Sequence, residues 1–161
     1  MAEDGFAVTA YREDGGVWQC GLLPESVLDD LDVAVATVRS QPGEGGAIVL
    51  LDIDDEFFVA LRSGRPGDVR MLLSDITAAA DYEIARQAVR YLGEETPDDD
   101  ELDEVWPVGD LAIFADLGLD EMELRAILDD LDLYADEMIA AIAGRVGFAY
   151  AYAQVVDALP R

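Results

Sequence analysis

The chain has 161 residues and a formal charge of −26, from 36 acidic and 10 basic residues. This charge disfavours direct binding to nucleic-acid phosphates, while it would attract a basic protein surface. The chain has no histidine and one cysteine, which excludes histidine general bases, zinc sites built from histidine or cysteine, and disulfides within the chain.

The N-terminal part of the chain predicts a β-hairpin followed by a helix. The runs FAVTAY and VWQCGLL flank residues 12–16, REDGG, whose composition favours a tight turn. Cys20 lies inside the second run and is predicted to be a small buried hydrophobe rather than a nucleophile. A helix that ends before Pro42 follows, with Leu31, Ala34, Val35 and Val38 on its buried stripe and Ser26, Asp30 or Asp32 as its N-cap.

Residues 47–92 predict three strands and a long helix. AIVLLDI and EFFVALRS are strand-like runs around a tight acidic turn at Asp54 and Asp55, and DVRMLLS is a third strand. Both sides of these runs are apolar, which predicts a sheet that is covered on both faces. A long helix is then predicted from Ser74 or Asp75 to Leu92, with Gly93 as its left-handed stop.

The sequence becomes strongly acidic after this helix. Residues 94–104 hold eight acidic residues and no basic one, and Pro97 inside the run and Pro107 just after it disfavour a helix. We therefore predict a solvated acidic linker over 94–108, in which Trp106 anchors one end. Residues 109–161 predict a small bundle of short helices, with Gly118 as a helix stop, a capping box at Asp120 to Glu123, and Phe114, Met138 and Tyr152 in the core.

The fold class that this pattern predicts is α+β with an antiparallel sheet. The element order ββαβββα is similar to the longin and roadblock type of sandwich, which serves mostly as a protein-interaction scaffold, although a likeness of fold carries no function. The predicted organisation has three parts. Residues 1–93 form the sheet domain, 94–108 the acidic linker, and 109–161 a helical segment packed on the sheet domain.

Two local patterns resemble ligand sites but lack required residues. The acidic run that begins at Asp52 has Phe57 and Ser63 where an EF-hand loop needs glycine and glutamate. The glycine-rich stretch 43–46 leads into a strand and is followed by no lysine, so it predicts no phosphate cradle. The sequence therefore predicts no catalytic residues, no metal site and no cofactor.

Three arginines around one predicted turn form the only local basic patch. Arg62, Arg65 and Arg70 either bind an acidic partner or offset the acidic turn at residues 54–56. We favour the second interpretation, because exposed ion pairs are common surface features.

Three stretches together resemble a known family. They are GAIVLLDIDDEFFVALR (46–62), DVRMLLSDITAAADYEIA (68–85) and GDLAIFADLGLDEMELRAILDDLDLYADEMIAAIAGRVGF (109–148). Over residues 5 to 150 the chain resembles the actinobacterial tRNA adenosine deaminase-associated proteins. The resemblance implies association with the deaminase that converts the wobble adenosine to inosine, and it offers no catalytic residues. The chain cannot itself be that enzyme, which needs a zinc site of histidine and cysteine ligands.

These observations favour a cytoplasmic, non-catalytic interaction protein. Its expected partner is a basic, RNA-binding protein surface, with the tRNA adenosine deaminase as the leading candidate. The predicted partner-binding residues belong to the acidic linker: Asp98, Asp99, Asp100, Glu101, Asp103, Glu104 and Trp106. The N-terminus lacks the basic region of a signal peptide, and no apolar run approaches the roughly 20 residues of a membrane span.

Three alternatives stay open at this stage. The first is a structural homodimer built through an exposed edge strand or a helix face. The second is an enzyme that uses carboxylates such as Asp52, Asp54 and Glu56. The third concerns the charge itself: all ten basic residues are arginine, as codon bias in a GC-rich genome would produce, and the acidic surface would then serve solubility.

Overall fold

The structure, a computed structural model, describes residues 5–12, 16–41, 46–64, 69–94 and 106–159. The strands are β1 (Phe6–Arg12), β2 (Trp18–Leu23), β3 (Ile48–Ile53), β4 (Phe57–Ser63), β5 (Val69–Leu73) and β6 (Val108–Gly109). The α-helices are α1 (Ser26–Asp29), α2 (Leu31–Ser40), α3 (Glu83–Tyr91), α4 (Glu121–Leu128), α5 (Ala135–Val146) and α6 (Ala149–Asp157), and two 3₁₀ helices cover Ile76–Ala80 and Ala115–Leu117. No helix in the described parts of the chain is long and apolar enough to cross a membrane.

The six strands form one antiparallel sheet in the order β2-β1-β3-β4-β5-β6. This confirms the predicted α+β class with an antiparallel sheet. The sequence missed β6, whose two residues pair with Leu72 and Leu73. The likeness to the longin and roadblock sandwich stays a prediction.

Both faces of the sheet are covered, each by its own apolar cluster. The first face packs against the buried stripes of α2 and α3, and the four predicted residues of α2 are all buried there. The second face packs against α4, α5 and α6 and buries Phe114 and Tyr152, with Met138 partly buried beside them. Residues on one strand alternate between the two clusters, as the pleat of a strand requires.

The turn between β3 and β4 is tight, as the sequence predicts. Asp54 and Asp55 both have positive φ values, 55° and 58°, and the Glu56 N–H donates to the carbonyl of Ile53 at 3.0 Å. Two successive left-handed residues are the mark of the hairpin turn that matches strand twist, and aspartate tolerates this conformation better than most residues.

The predicted long helix is instead two elements. Residues 76–80 form a 3₁₀ helix capped by Asp75, whose carboxylate accepts the Thr77 N–H at 2.8 Å, and α3 begins only at Glu83. Tyr82 between them is extended because its ring packs on Phe57 and its hydroxyl donates to Asp54 at 2.8 Å. A tertiary contact thus overrides the local helical pattern. Gly93 has a φ of 76° and ends α3 in the predicted way.

Two further helix predictions need correction. The first helix is divided, since Asp30 is extended and its side chain accepts the Asp32 N–H, so α1 ends and α2 begins there. Residues 109–117 were predicted as a helix but form β6, a turn and a short 3₁₀ helix that stops at the left-handed Gly118. The proposed boundary at the acidic linker stays a prediction, because residues 95–105 lie outside the described residues.

The predicted cap of α4 gives a direct stability test. The Asp120 carboxylate accepts the Glu123 N–H at 2.8 Å, and the side chain is exposed. We expect Asp120→Ala to be about 1 kcal/mol less stable than Asp120→Ser, because serine keeps an N-cap acceptor and alanine does not. Both variants lose the same charge, so urea denaturation of the pair isolates the cap. Equal midpoints would show that the cap contributes nothing.

Candidate functional site

The predicted partner-binding carboxylates, Asp98, Asp99, Asp100, Glu101, Asp103 and Glu104, lie outside the described residues, so their role stays a prediction. Trp106 is described. It is half-buried against the first-face cluster, and its carbonyl accepts the Ile76 N–H at 2.9 Å. Trp106 therefore contributes to holding the chain against the sheet, which leaves less of its ring for a partner.

The two described arginines of the predicted basic patch, Arg62 and Arg70, bind carboxylates of this chain. Arg62 and Arg70 are directly opposite each other on β4 and β5. Arg62 forks onto both carboxylate oxygens of Asp116, with Nη2 at 2.9 Å from Oδ2, and also donates to the Ile113 carbonyl at 2.8 Å. Arg70 donates to Asp110 at 2.5 Å and to the Ala112 carbonyl at 2.7 Å. We call these contacts the arginine clamp.

The arginine clamp corrects the expected partners of these arginines. They do not offset the acidic turn at residues 54–56, because they project from the second face and bind the segment 110–116. Arg65 lies outside the described residues. The hydrogen bonds from Arg62 hold the pKa of Asp116 below its usual value. The clamp thus joins the end of the sheet to the start of the helical segment.

Other arginines are also paired. Arg86 and Arg90 both bind Glu83 at 3.0 Å, and Arg145 binds Glu123. Because acidic residues outnumber basic ones by 36 to 10 in the chain, a large negative charge remains after these pairs are formed.

The helices on the second face carry the most acidic part of the described surface. Between residues 110 and 137 the sequence has ten acidic residues and a single basic one, Arg125. We define the acidic α4–α5 surface by its exposed carboxylates: Asp120, Glu121, Asp129, Asp130, Asp132 and Glu137. Its helices are fixed to the sheet by a full row of buried residues on α5, so the surface is presented by a rigid support.

Large hydrophobic side chains are exposed among these carboxylates. Met122 is 82 % exposed, Leu131 70 % and Tyr134 66 %, although residues of these types are usually at least partly covered. Leu131 and Tyr134 lie in the loop between α4 and α5, on either side of Asp132 and Leu133. Methionine and tyrosine are enriched at protein interfaces, so the combination is typical of a docking surface rather than of a surface that only serves solubility.

A second acidic region is a cleft of about 550 Å³ on the first-face side. Its walls are formed by α1, the β3–β4 turn and the start of α3, and its carboxylates are Glu25, Asp29, Asp54 and Glu83. Two of these four carboxylates already have partners: Asp54 accepts a hydrogen bond from Tyr82, and Glu83 binds two arginines. The cleft therefore offers less uncompensated charge than the acidic α4–α5 surface.

The β3–β4 turn also holds the N-terminus of α5. The Asp55 carboxylate accepts the Asp136 N–H at 2.9 Å, and the Asp55 carbonyl accepts the Ala135 N–H at 3.3 Å. A carboxylate at this position is favoured by the unpaired N–H groups and the dipole of the helix. Burial and the hydrogen bond with Asp55 raise the pKa of Asp136.

Asp52 is the one acidic side chain that is fully buried among the described residues, with 1 % exposure. Its Oδ1 accepts the Asp55 N–H at 2.8 Å, while its Oδ2 has no hydrogen-bond partner among the described residues. Burial, followed by the charge of Asp55, raises the pKa of Asp52 to about 8. The carboxyl is therefore mostly protonated at neutral pH.

The three carboxylates considered for catalysis do not converge. Asp52 points into the second-face side of β3, Asp54 reaches Tyr82 on the first-face side, and Glu56 is exposed. Within the described ranges, no three acidic or thiol side chains lie close enough to hold a metal ion. Cys20 is half-buried rather than fully buried, and burial raises the pKa of its thiol to about 11, so it is not a thiolate at neutral pH.

Sequence reasoning missed the exposed hydrophobic side chains. Leu131 stands in the run DDLDLY, where acidic residues occupy three of six positions and no helical stripe continues. The interrupted stripe could have predicted the exposure of Leu131, because a leucine outside any amphipathic helix pattern has no predicted core to enter.

Comparison with known proteins gives a match over most of the chain. The family model described as "Rv3753c-like tRNA adenosine deaminase-associated protein" matches residues 5–149. The chain is also similar to Protein Rv3753c of Mycobacterium tuberculosis, with 43 % identity over 159 residues, which cover 98 % of this chain and 91 % of that protein. No solved structure gives a significant match.

Proposed function

Because the chain belongs to the Rv3753c-like tRNA adenosine deaminase-associated protein family, we propose that it is a non-catalytic accessory protein that binds the deaminase. The acidic α4–α5 surface is the proposed docking site. The acidic residues Asp98 to Glu104 extend the same negative charge along the chain. The observation that carries the proposal is the exposure of Met122, Leu131 and Tyr134 within residues 110–137, which hold ten acidic residues and one basic residue.

Charge complementarity supports this partner class. A deaminase that acts on tRNA needs basic patches to hold phosphates. A surface of charge opposite to those patches accelerates encounter and excludes acidic partners. The acidic surface would then occupy the RNA-facing side of the enzyme, as an anionic placeholder for tRNA.

The exposed hydrophobic side chains would supply binding energy that ion pairs alone do not provide. Exposed ion pairs contribute about 0 to 1 kcal/mol each, and salt screens them. Buried aromatic and aliphatic anchors contribute most of the binding energy at many interfaces. Tyr134 and Leu131 are placed to act as such anchors, since they stand in one loop between the two helices.

The first test is binding of the full chain to the tRNA adenosine deaminase of its own organism. We expect Asp129→Asn, Asp130→Asn and Asp132→Asn together to weaken the complex about tenfold at low salt, because three charge pairs of roughly 0.5 kcal/mol are lost. Calorimetry or surface plasmon resonance measures the change. The matched control neutralises Glu25, Asp29 and Asp32, which changes the charge equally on the other side of the sheet and is expected to weaken the complex less.

Two further variants separate the parts of the proposal. Tyr134→Ser is expected to weaken binding at high salt as well, because its contribution is not electrostatic. Neutralising Asp98, Asp99 and Asp100 tests the linker residues independently. Equal effects of the α4–α5 and control triplets would refute the docking site, and no complex at any salt would refute physical association. Displacement of the chain by tRNA would support the placeholder role.

A further inference from the structure

Among the described residues, strand β2 forms one edge of the sheet. Strand β2 is bonded to β1 on one side, and no described strand pairs with its other side. The opposite edge is β6, which has only two residues. An edge strand of six residues leaves a row of backbone N–H and C=O groups that can pair with another chain.

A groove runs between β2 and helix α6. Its volume is about 500 Å³, and the described residues that line it are Trp18, Gln19, Cys20, Leu22, Tyr150, Ala151, Gln154, Val155, Ala158 and Leu159. None of these ten side chains is charged. Leu22 is 53 % exposed and Tyr150 is 78 % exposed, so apolar surface is accessible on both walls.

An uncharged groove is unusual on this chain. Charged residues make up 29 % of the sequence and the net charge is −26. A basic partner would be drawn to the acidic surfaces, whereas an acidic partner would be repelled by the whole molecule. A second copy of the same chain carries the same charge, and it can approach closely only where neither copy presents carboxylates.

From this charge distribution and the edge strand β2, we propose that a second copy of the chain occupies the groove. The two β2 strands pair antiparallel about a two-fold axis, so that the two sheets become continuous. Helix α6 of each copy then packs beside that of the other, and Leu22 and Tyr150 are covered. Such a contact is self-complementary, since both copies use the same patch, as closed two-fold dimers require.

This proposal is independent of binding to the deaminase. It uses β2 and α6, whereas the docking surface uses α4 and α5. The two interactions also respond to salt in opposite directions. Screening weakens attraction between an acidic and a basic surface, and it relieves repulsion between two copies of charge −26.

The test is sedimentation velocity or light scattering of the full chain at about 0.1 M and about 1 M salt, over which the screening length falls from about 10 Å to about 3 Å. We expect a dimer whose dissociation constant decreases at the higher salt. Leu22→Glu and Tyr150→Glu, measured separately, should each weaken the dimer at least tenfold, because each buries a carboxylate in the contact. Met122→Glu is the matched control, since it places the same charge on α4 and should leave dimerisation unchanged.

Each outcome decides the proposal. A monomer at both salt concentrations overturns it. A dimer that survives both groove variants overturns the placement in the groove, and a dimer that Met122→Glu disrupts as strongly does the same. Both groove residues are exposed, so folding should persist, and circular dichroism checks it. If Leu22→Glu unfolds the edge strand, Tyr150→Glu on the helix still reports on the contact.

Discussion

Arg62→Met is expected to lower the free energy of unfolding by about 2 kcal/mol, because the buried carbonyl of Ile113 loses a charged donor while Asp116, which is exposed, returns to water. Arg62 is 5 % exposed and donates to both oxygens of Asp116 and to the carbonyl of the fully buried Ile113. Methionine fills a similar volume but donates nothing. The Ile113 carbonyl then loses a donor, and segment 110–116 loses one of its attachments to the sheet.

The matched control is Arg70→Met, on the neighbouring strand. Its side chain is 39 % exposed, so water can replace part of what the guanidinium gives to Asp110 and Ala112. We expect a loss of about 1 kcal/mol, as for hydrogen bonds of partly exposed groups. Urea denaturation at neutral pH measures both variants. Equal losses would mean that burial of Arg62 contributes nothing beyond its hydrogen bonds.

Asp52→Asn is expected to raise the free energy of unfolding by up to about 6 kcal/mol at pH 8 and by little at pH 4, since each unit of pKa shift corresponds to about 1.4 kcal/mol and the pKa rises from 3.8 to about 8. Asparagine can keep the acceptor for the Asp55 N–H, and it never carries the charge that burial penalises. The second oxygen of Asp52, which has no partner among the described residues, is replaced by an uncharged amide.

The direction of the pH dependence follows from the raised pKa. The pKa of Asp52 is 3.8 in an unperturbed chain and about 8 in the folded protein, so between these values only the folded state keeps the proton. The stability from this group is complete below about pH 4, falls as the pH rises, and levels off above about pH 8. Asp52→Asn removes this slope.

Thermal or urea denaturation from pH 4 to pH 8 measures the difference between the two chains. Glu56→Gln is the control, because it removes one charge from the same turn at an exposed position. The free energy of unfolding of Glu56→Gln should change with pH in the same way as that of the wild type. If the free energy of unfolding of Asp52→Asn also follows the pH dependence of the wild type, the Asp52 carboxyl is ionised in the folded chain, and the burial argument is wrong.

Local patterns predicted the elements that depend on neighbours in the sequence. The tight turn at Asp54 and Asp55, the stop at Gly93 and the cap at Asp120 are each decided within four residues. The covering of both faces of the sheet also follows from the sequence. Most residues of β3 and β4 are apolar, and successive residues point to opposite faces, so each strand presents apolar side chains on both faces.

Contacts between distant residues could not be predicted in the same way. Arg62 and Asp116 are 54 positions apart, and Asp55 and Asp136 are 81 apart. Nothing in either local sequence identifies the partner among 36 acidic residues. The extended Tyr82 has the same origin, since its bond to Asp54 crosses from one element to another. The exposure of Met122 and Tyr134 could not be predicted because it depends on which surfaces the other helices cover, whereas Leu131 stands outside any helical stripe and had a local signal.

The two faces of the sheet are completed at different times during synthesis. The cover of the first face, α2 and α3, ends at residue 91, whereas the cover of the second face begins at residue 113 and ends near the C-terminus. A ribosome adds about 5 to 20 residues per second, so the second face of a newly made sheet stays bare for seconds. The two clamping arginines are likewise without their aspartates in that interval. Until the last three helices are synthesised, the second face of the sheet therefore lacks its cover.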